Sequence, residues 1–255
     1  MFIDQHCHIE DENIIKEAFS SNLIGLLNAG NDLDEMEHQL ELADKYPNVW
    51  TSAGIHPDLA PNKLSYITTQ SIIEKTNHPK VIAIGECGLD YYYGSDYKKE
   101  QLEMFSRHIK ASTLTKLPLI IHQRQAEEDT LQLLHKGIKE YGSLTGVIHC
   151  FTSTLEFAKE VEKLGFYISA SGIITFNSGK DILEVFKSYP KDKILLETDS
   201  PYLAPVPNRG KQNKPSYLIH TATTLANALN MSLEDLGTLT TNNFFNLYKK
   251  AKQER

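Results

Sequence analysis

No stretch of the 255 residues approaches the roughly 20 consecutive apolar positions that a membrane-crossing helix needs, so no membrane partner is expected. The first residues also lack the basic segment followed by an apolar one that marks a secretory leader. Cysteine is scarce. Three residues, an odd count without CxxC spacing, argue against a disulfide framework and for reduced thiols in a cytoplasmic protein. Positive charge is in deficit, with 26 Lys and Arg against 33 Asp and Glu and a net charge of −7. Such a chain does not coat nucleic acid by bulk charge, although a grip on one end or a few phosphates stays open. No linker, repeat or low-complexity tract divides it.

What is present is regular. Short apolar runs alternate with longer segments of helical period, the pattern of βα units around a parallel sheet. Eight strands are predicted: FIDQH, LIGLLNA, WTSAGIH, VIAIGE, PLIIH, GVIHC, FYISAS and KILLET. Their cores are near-continuously apolar, as in strands covered on both faces. Helices are predicted over Asp32–Lys45, where Asp32 and Glu35 have capping-box spacing, and over Tyr97–Thr115. Two more are predicted over Leu155–Leu164, ahead of the terminator Gly165, and over Pro215–Leu229, with a last helical stretch from Ser232. Eight such units predict an α/β fold, a (β/α)8 TIM barrel spanning 1–255 as one domain with a C-terminal helical extension. The rival, an open doubly wound sheet, lacks its glycine-rich phosphate fingerprint after the first strand.

The stretch IDQHCHIED sets two histidines two apart. A strand sends such residues to one face, so His6 and His8 point together and Cys7 points away. Taken alone they are either a metal pair or two polar residues of an exposed edge. Of the ten histidines, His38, His108, His135 and His220 fall in helical segments and His78 in a loop, where a solvated or capping role is expected. His6, His8, His56, His122 and His149 fall at strand C-terminal ends or just beyond, as do Glu86 and Asp199. In a barrel those ends converge on one rim. Imidazoles and carboxylates crowded there suffer desolvation and like-charge repulsion unless a divalent cation, or a pair, sits among them. Cys7, Cys87 and Cys150 each adjoin one of these residues and should turn to the helix layer by strand alternation. The remaining imidazole and carboxylate set suits zinc, magnesium or manganese.

The ordered motifs resemble those of a known family. DxHxH at Asp4, His6 and His8, Glu86 in GECGLDYY, His122 in IHQRQA, His149 in IHCF, SGIITF, and Asp199 in ETDSPYLAPVPNRGKQNKP together resemble the TatD-like metal-dependent deoxyribonucleases of the amidohydrolase superfamily. The likeness runs from Ile3 to about Tyr217. It implies a barrel that holds two divalent cations and cleaves phosphodiester bonds of DNA. On that analogy His6 and His8 hold one cation with Asp199, His122 and His149 hold the other, and Glu86 bridges them where many relatives use a carboxylated lysine. Ser153 stands where relatives commonly have glycine and Asp58 where a second histidine is frequent, departures that bear on substrate fit.

With such a site, Asp199 is the expected acceptor of the proton from the attacking water. Arg124, two residues past His122, is expected to make a forked phosphate contact, or else an ion pair with a nearby carboxylate. Arg209 and Lys211 in NRGKQNKP are expected to meet the substrate backbone, a solvated turn being the alternative. Tyr91, Tyr92 and Tyr93 are candidates to stack on a base of a frayed strand, or to pack in the core. His56 is a candidate phosphate contact. The function expected is a divalent-metal-dependent deoxyribonuclease of exonuclease type, acting on 3′ ends or single strands of DNA. One alternative is an amidohydrolase of a small amide, ester or lactone; Arg124 and the loop argue against it and the acidic balance argues for it. The other is a barrel that binds nucleic acid or protein without turnover. No sequence feature assigns an oligomeric state.

Overall fold

The computed structural model describes residues 1–92, 94 and 96–251. Among them, eight parallel strands pair in chain order: β1 Phe2–Cys7, β2 Leu23–Asn28, β3 Val49–Ala53, β4 Val81–Asp90, β5 Leu119–Arg124, β6 Gly146–Ile148, β7 Tyr167–Ala170 and β8 Ile194–Leu196. Helices fill the intervals: α1 Glu12–Phe19, α2 Met36–Lys45, α3 Ala60–Lys63, α4 Thr69–Lys75, α5 Lys98–Thr115, α6 Glu127–Tyr141, α7 Leu155–Lys163, α8 Lys180–Ser188, α9 Leu218–Ala228 and α10 Leu233–Leu247. All eight predicted strands form, and the barrel is of the TIM type. Ile3, Leu27, Trp50, Ile82, Ile120, Val147, Tyr167 and Leu195 fill its centre with Phe244 and Tyr248 from the end of α10. A larger apolar layer lies between strands and helices. Among the described residues, no helix is long and apolar enough to cross a membrane.

The seam between β8 and β1 is closed by polar bonds instead of a regular ladder. Asp199 N–H donates to His6 O (2.9 Å) and His8 N–H donates to Ser200 O (2.8 Å). Lower down, Thr198 donates to the buried Asp4 carboxylate from both N (2.9 Å) and Oγ1 (2.6 Å). α10 crosses the N-terminal end of β8, where Asn243 Nδ2 donates to Lys191 O and Ile194 O. The same backbone bonds that shut the barrel therefore carry His6, His8 and Asp199 side by side.

Three expectations need correction. The helix predicted from Asp32 begins at Met36, because Asp32 forms no capping box. Its Oδ1 accepts from Asp34 N–H, and Lys63 Nζ takes its other oxygen at 2.8 Å. Pro215–Tyr217 is a separate 3-10 turn before α9, the Pro ring setting its first residue. His108 is neither solvated nor a cap. Fully buried on α5, it accepts Ile55 N–H on Nε2 (3.0 Å), which leaves the proton on Nδ1 facing Met104 O (2.8 Å).

Burial pushes the His108 pKa down to about 4. The unfolded chain, with an ordinary histidine near 6.5, binds a proton that the folded chain refuses between those values. The stabilisation is therefore complete above about pH 6.5 and is lost as pH falls toward 4. Chemical denaturation should show this group costing about 2 kcal/mol between about pH 7.5 and about pH 5. A His108→Gln variant should lose that much less over the same interval; equal pH slopes in the two proteins would remove His108 from this role.

Candidate metal centre

Glu86 occupies the middle of the barrel's mouth because β4 bulges between Ile84 and Cys87. The bulge presses on β3 at Gly54. A Cβ there would lie 2.4 Å from Gly85 C and 2.6 Å from Glu86 O, so only glycine permits the approach. The carboxylate, 3% exposed, then divides between two groups of imidazoles. Oε1 faces His149 Nε2 (2.8 Å), His122 Nδ1 (3.0 Å) and His56 Nε2 (3.6 Å). Oε2 faces His6 Nε2 (3.3 Å) and His8 Nε2 (3.7 Å). Asp199, just past β8, brings Oδ1 to 3.6 Å from His8 and 3.8 Å from His6. Its φ of 55° is a left-handed conformation that Asp tolerates better than most residues, a strain typical of functional sites.

This donor set fits divalent cations. Ligands at about 2.0–2.1 Å around a tetrahedral cation stand roughly 3.3–3.4 Å apart. His6 Nε2 and His8 Nε2 are 3.3 Å apart, and His122 Nδ1 and His149 Nε2 are 3.4 Å apart. Three trios, His6–His8–Glu86, His6–His149–Asp199 and His56–Glu86–His122, each bring their donor atoms within 4.8 Å of one another. Burial drives the Glu86 carboxyl upward, and the imidazoles of His149, His56 and His6 outweigh it, holding the group well below its ordinary range. Burial is likewise overridden at Asp199, by the His8 imidazole 3.6 Å away and by His149 and His6. His149 is pushed down by burial and more strongly up by Glu86 and Glu197, and ends well above its ordinary value. Protons on such imidazoles supply positive charge that a bound cation would replace, so metal uptake here is coupled to proton release.

The outer nitrogens are anchored. His8 Nδ1 meets Ala29 O at 3.2 Å, and His122 Nε2 meets Asp90 Oδ2 at 2.8 Å, each turning the other nitrogen toward the cluster. His149 Nδ1 lies 3.4 Å from Glu197 Oε1, within ion-pair reach though not aligned as a hydrogen bond. Glu197 is fully buried and takes the Gln5 amide on its other oxygen, while Tyr248 O–H donates to Gln5 Oε1 (2.8 Å). A buried polar chain thus runs from the end of α10 through the barrel to His149. Sequence reading missed Asp90 and Glu197. Both stand inside the quoted motifs, as the D of GECGLD and the E of ETD, and that proximity was the available signal.

The structure brings His6, His8, Glu86, His122, His149 and Asp199 together. His56, expected as a phosphate contact, also lies among the donors. Cys7 and Cys87 pack in the helix layer as expected. Cys150 does not: β6 ends at Ile148, Cys150 takes φ 44°, and strand alternation no longer governs it. It lines a cavity at the mouth with His122, His149 and Asp199. Arg124 stands at the end of β5 with Cζ 3.5 Å from the centre of the Tyr92 ring, and Arg209 stacks at 3.8 Å on Phe176. Lys211 is exposed, whereas Lys214 turns to Glu17 on α1. Tyr91 donates to Asp129 on α6 and so packs away from the mouth; Tyr93 lies outside the described residues. Ser153 Oγ ties its loop to Glu127, and Asp58 stands 3.6 Å from His56.

An eight-stranded barrel with this cluster at its C-terminal rim defines a metal-dependent hydrolase of the TIM-barrel class. More particularly, the chain belongs to the TatD family: the family described as "TatD related DNase" matches residues 3–249. An uncharacterized metal-dependent hydrolase of Buchnera aphidicola is 36% identical over 96% of this chain and 98% of its own length. The protein named 3′-5′ ssDNA/RNA exonuclease TatD of Escherichia fergusonii is 33% identical, covering 82% of this chain and 81% of its own. In fold, the TatD homologue YjjV of Escherichia coli superposes with a TM-score of 0.87 at 23% identity, over 97% of this chain and 98% of that one.

The Glu197 arrangement has a direct consequence. A Glu197→Gln variant should keep the barrel's secondary structure but bind zinc or manganese roughly 10–100-fold more weakly in chelator competition. Tyr248→Phe should act in the same direction to a smaller extent. Metal affinity equal to the parent's in Glu197→Gln would dispose of the orienting role.

Proposed function

We propose that the protein is a divalent-metal-dependent nuclease that hydrolyses phosphodiester bonds of DNA, working at 3′ ends or on single strands. The observation that carries the reading is Glu86, whose two oxygens each address a different set of imidazoles. That arrangement supports a pair of cations, zinc, magnesium or manganese, with His6, His8 and Asp199 on one side, His122 and His149 on the other, and Glu86 between. Bound there, divalent cations supply Lewis-acid charge neutralisation at a phosphoryl oxygen and lower the pKa of water toward neutrality.

The chain's own residues do the rest. Asp199, held below its ordinary pKa, is ionised at neutral pH and accepts the proton of the water that attacks phosphorus. The bond from phosphorus to the leaving sugar oxygen breaks, that oxygen takes up the proton held by Asp199, and at a 3′ end the terminal nucleotide departs with its phosphate. Arg124, stacked on Tyr92 at the rim, offers a planar, permanently charged fork to a phosphate. Charge around the mouth is uneven, which answers the net acidity of the chain. A cavity on the β1–β2 side is lined by Glu10, Asp34, Glu35, Glu37 and Glu41 and repels a polyanion. The cavity on the β5–β8 side has Arg124 and, of carboxylates among the described residues, only Asp199.

End-labelled single- and double-stranded DNA, incubated with magnesium, manganese or zinc, should be shortened, and a chelator should stop it. Intact DNA with every metal, alongside turnover of a small ester or amide, would give the site to the small-molecule reading. Asp199→Asn should depress kcat by about 10²–10⁴ while moving KM only a few-fold. Glu86→Ala should lose bound metal together with rate, measured as metal per chain after gel filtration.

A further inference from the structure

We propose that the SGIITF segment and the loop after Asp199 build a pocket for the base of the terminal nucleotide, so that the enzyme grips a single strand by its last base. The proposal rests on the nuclease reading and adds to it the part of the substrate that is recognised. The cavity beside the donor cluster holds about 460 Å³, within the roughly 300–1,000 Å³ of small-ligand sites. Its inner end is His122, His149 and Asp199, where the chemistry lies. Ile173, Ile182, Leu203 and Tyr202 give it apolar and aromatic walls, with Gln123, Cys150, Thr152 and Ser178 between them, and Arg124 stands at the rim.

Two pieces of chain are locked together to make that wall. Gly172 carries no side chain because a Cβ would lie 2.1 Å from Leu203 O, so glycine alone lets the loop close on the turn Gly172–Thr175. Thr175 Oγ1 donates to Gly172 O (2.7 Å) and accepts Val206 N–H (2.9 Å), fastening turn to loop. Phe176, next in the chain, carries the Arg209 guanidinium on its ring. Cys150, Asp199 and Leu203 all hold left-handed φ values, 44°, 55° and 57°, around this one cavity. Non-glycine backbone in that region costs free energy, and its concentration at a pocket marks a shape kept for a ligand.

The chemistry of the occupant follows from the lining. Apolar and aromatic walls receive the flat face of any base, which makes recognition tolerant of sequence. Arg124 at the rim and Arg209 beyond it, each stacked on an aromatic ring, suit the phosphate of that terminal nucleotide and the next phosphate along the strand. A paired base cannot enter without leaving its partner, so frayed or single-stranded ends are preferred to blunt duplex.

The test uses the metal-loaded protein and two single-stranded oligonucleotides that differ only in whether the terminal nucleotide carries its base. The wild type should show a KM about tenfold or more lower for the intact strand. Ile173→Trp, or Leu203→Trp from the opposite wall, should abolish that advantage. Titration calorimetry gives a reading independent of turnover: deoxyadenosine 5′-monophosphate should bind the wild type about tenfold more tightly than deoxyribose 5-phosphate, and the Trp variants should bind both alike. Equal KM for intact and abasic strands in the wild type, or an advantage kept in both Trp variants, overturns the pocket. If the wild type cuts neither strand, the nuclease reading has failed, and the calorimetry still decides the pocket by the same comparison.

Discussion

The Glu86 carboxylate is almost wholly withdrawn from water, and burying an ionised group costs several kcal/mol unless charge of opposite sign surrounds it. Here β1, β3, β5 and β6 and their end loops deliver five imidazoles to one point, and His8, His122 and His149, whose pKa values are raised by the surrounding carboxylates, supply that charge. His6 and His8 are placed by main chain, through the β8–β1 seam, whereas His122 is turned by its bond to the Asp90 carboxylate. The architecture of the mouth is thus the solution to one electrostatic problem, and a cation-binding centre is the form that solution takes.

The seam explains why the site and the fold cannot be separated. Elsewhere neighbouring strands exchange ladder bonds through their middles, but β8 meets β1 through Asp4, Gln5, His6 and His8 on one side and Glu197, Thr198, Asp199 and Ser200 on the other. Backbone bonds and polar side chains at this junction together stand in for a regular ladder and hold the donor residues in register. Directly below, Phe244 and Tyr248 seal the barrel's floor, and the Tyr248 hydroxyl is the lowest link of the chain that ends on His149. Stability at the bottom and orientation at the top are served by the same buried residues.

Most of the fold and the convergence of the donor residues were legible in the sequence, and the misses share a cause. Eight apolar runs gave eight strands because a buried parallel strand writes itself as a continuous hydrophobic segment. His6, Glu86, His122 and Asp199 stood out because strand ends converge whatever the details of the loops. Asp90 and Glu197 did not, since a carboxylate that orients an imidazole has no spacing of its own; its partner is chosen in space. His108 looked like any helical histidine, and only the approach of the β3 end loop reveals that it accepts Ile55 N–H. Cys150 was misplaced because alternation holds only while the strand lasts, and β6 stops two residues earlier.

The unequal charge of the two sides of the mouth reconciles an acidic protein with the polyanionic substrate proposed for it. Five carboxylates gathered by the β1–β2 side leave the β5–β8 side with its stacked arginines as the approach for a phosphate chain. Within about a Debye length, roughly 8 Å at physiological salt, a substrate responds to that local asymmetry more than to the total of −7. Repulsion on one wall and attraction on the other also impose direction. A strand held on the β5–β8 side meets Asp199 and the imidazoles from that side only, so one end of it reaches the donor cluster while the remainder stays outside the barrel. Under the proposed nuclease reading, a site of this shape would select the end of a chain by geometry, before any contact with a particular base.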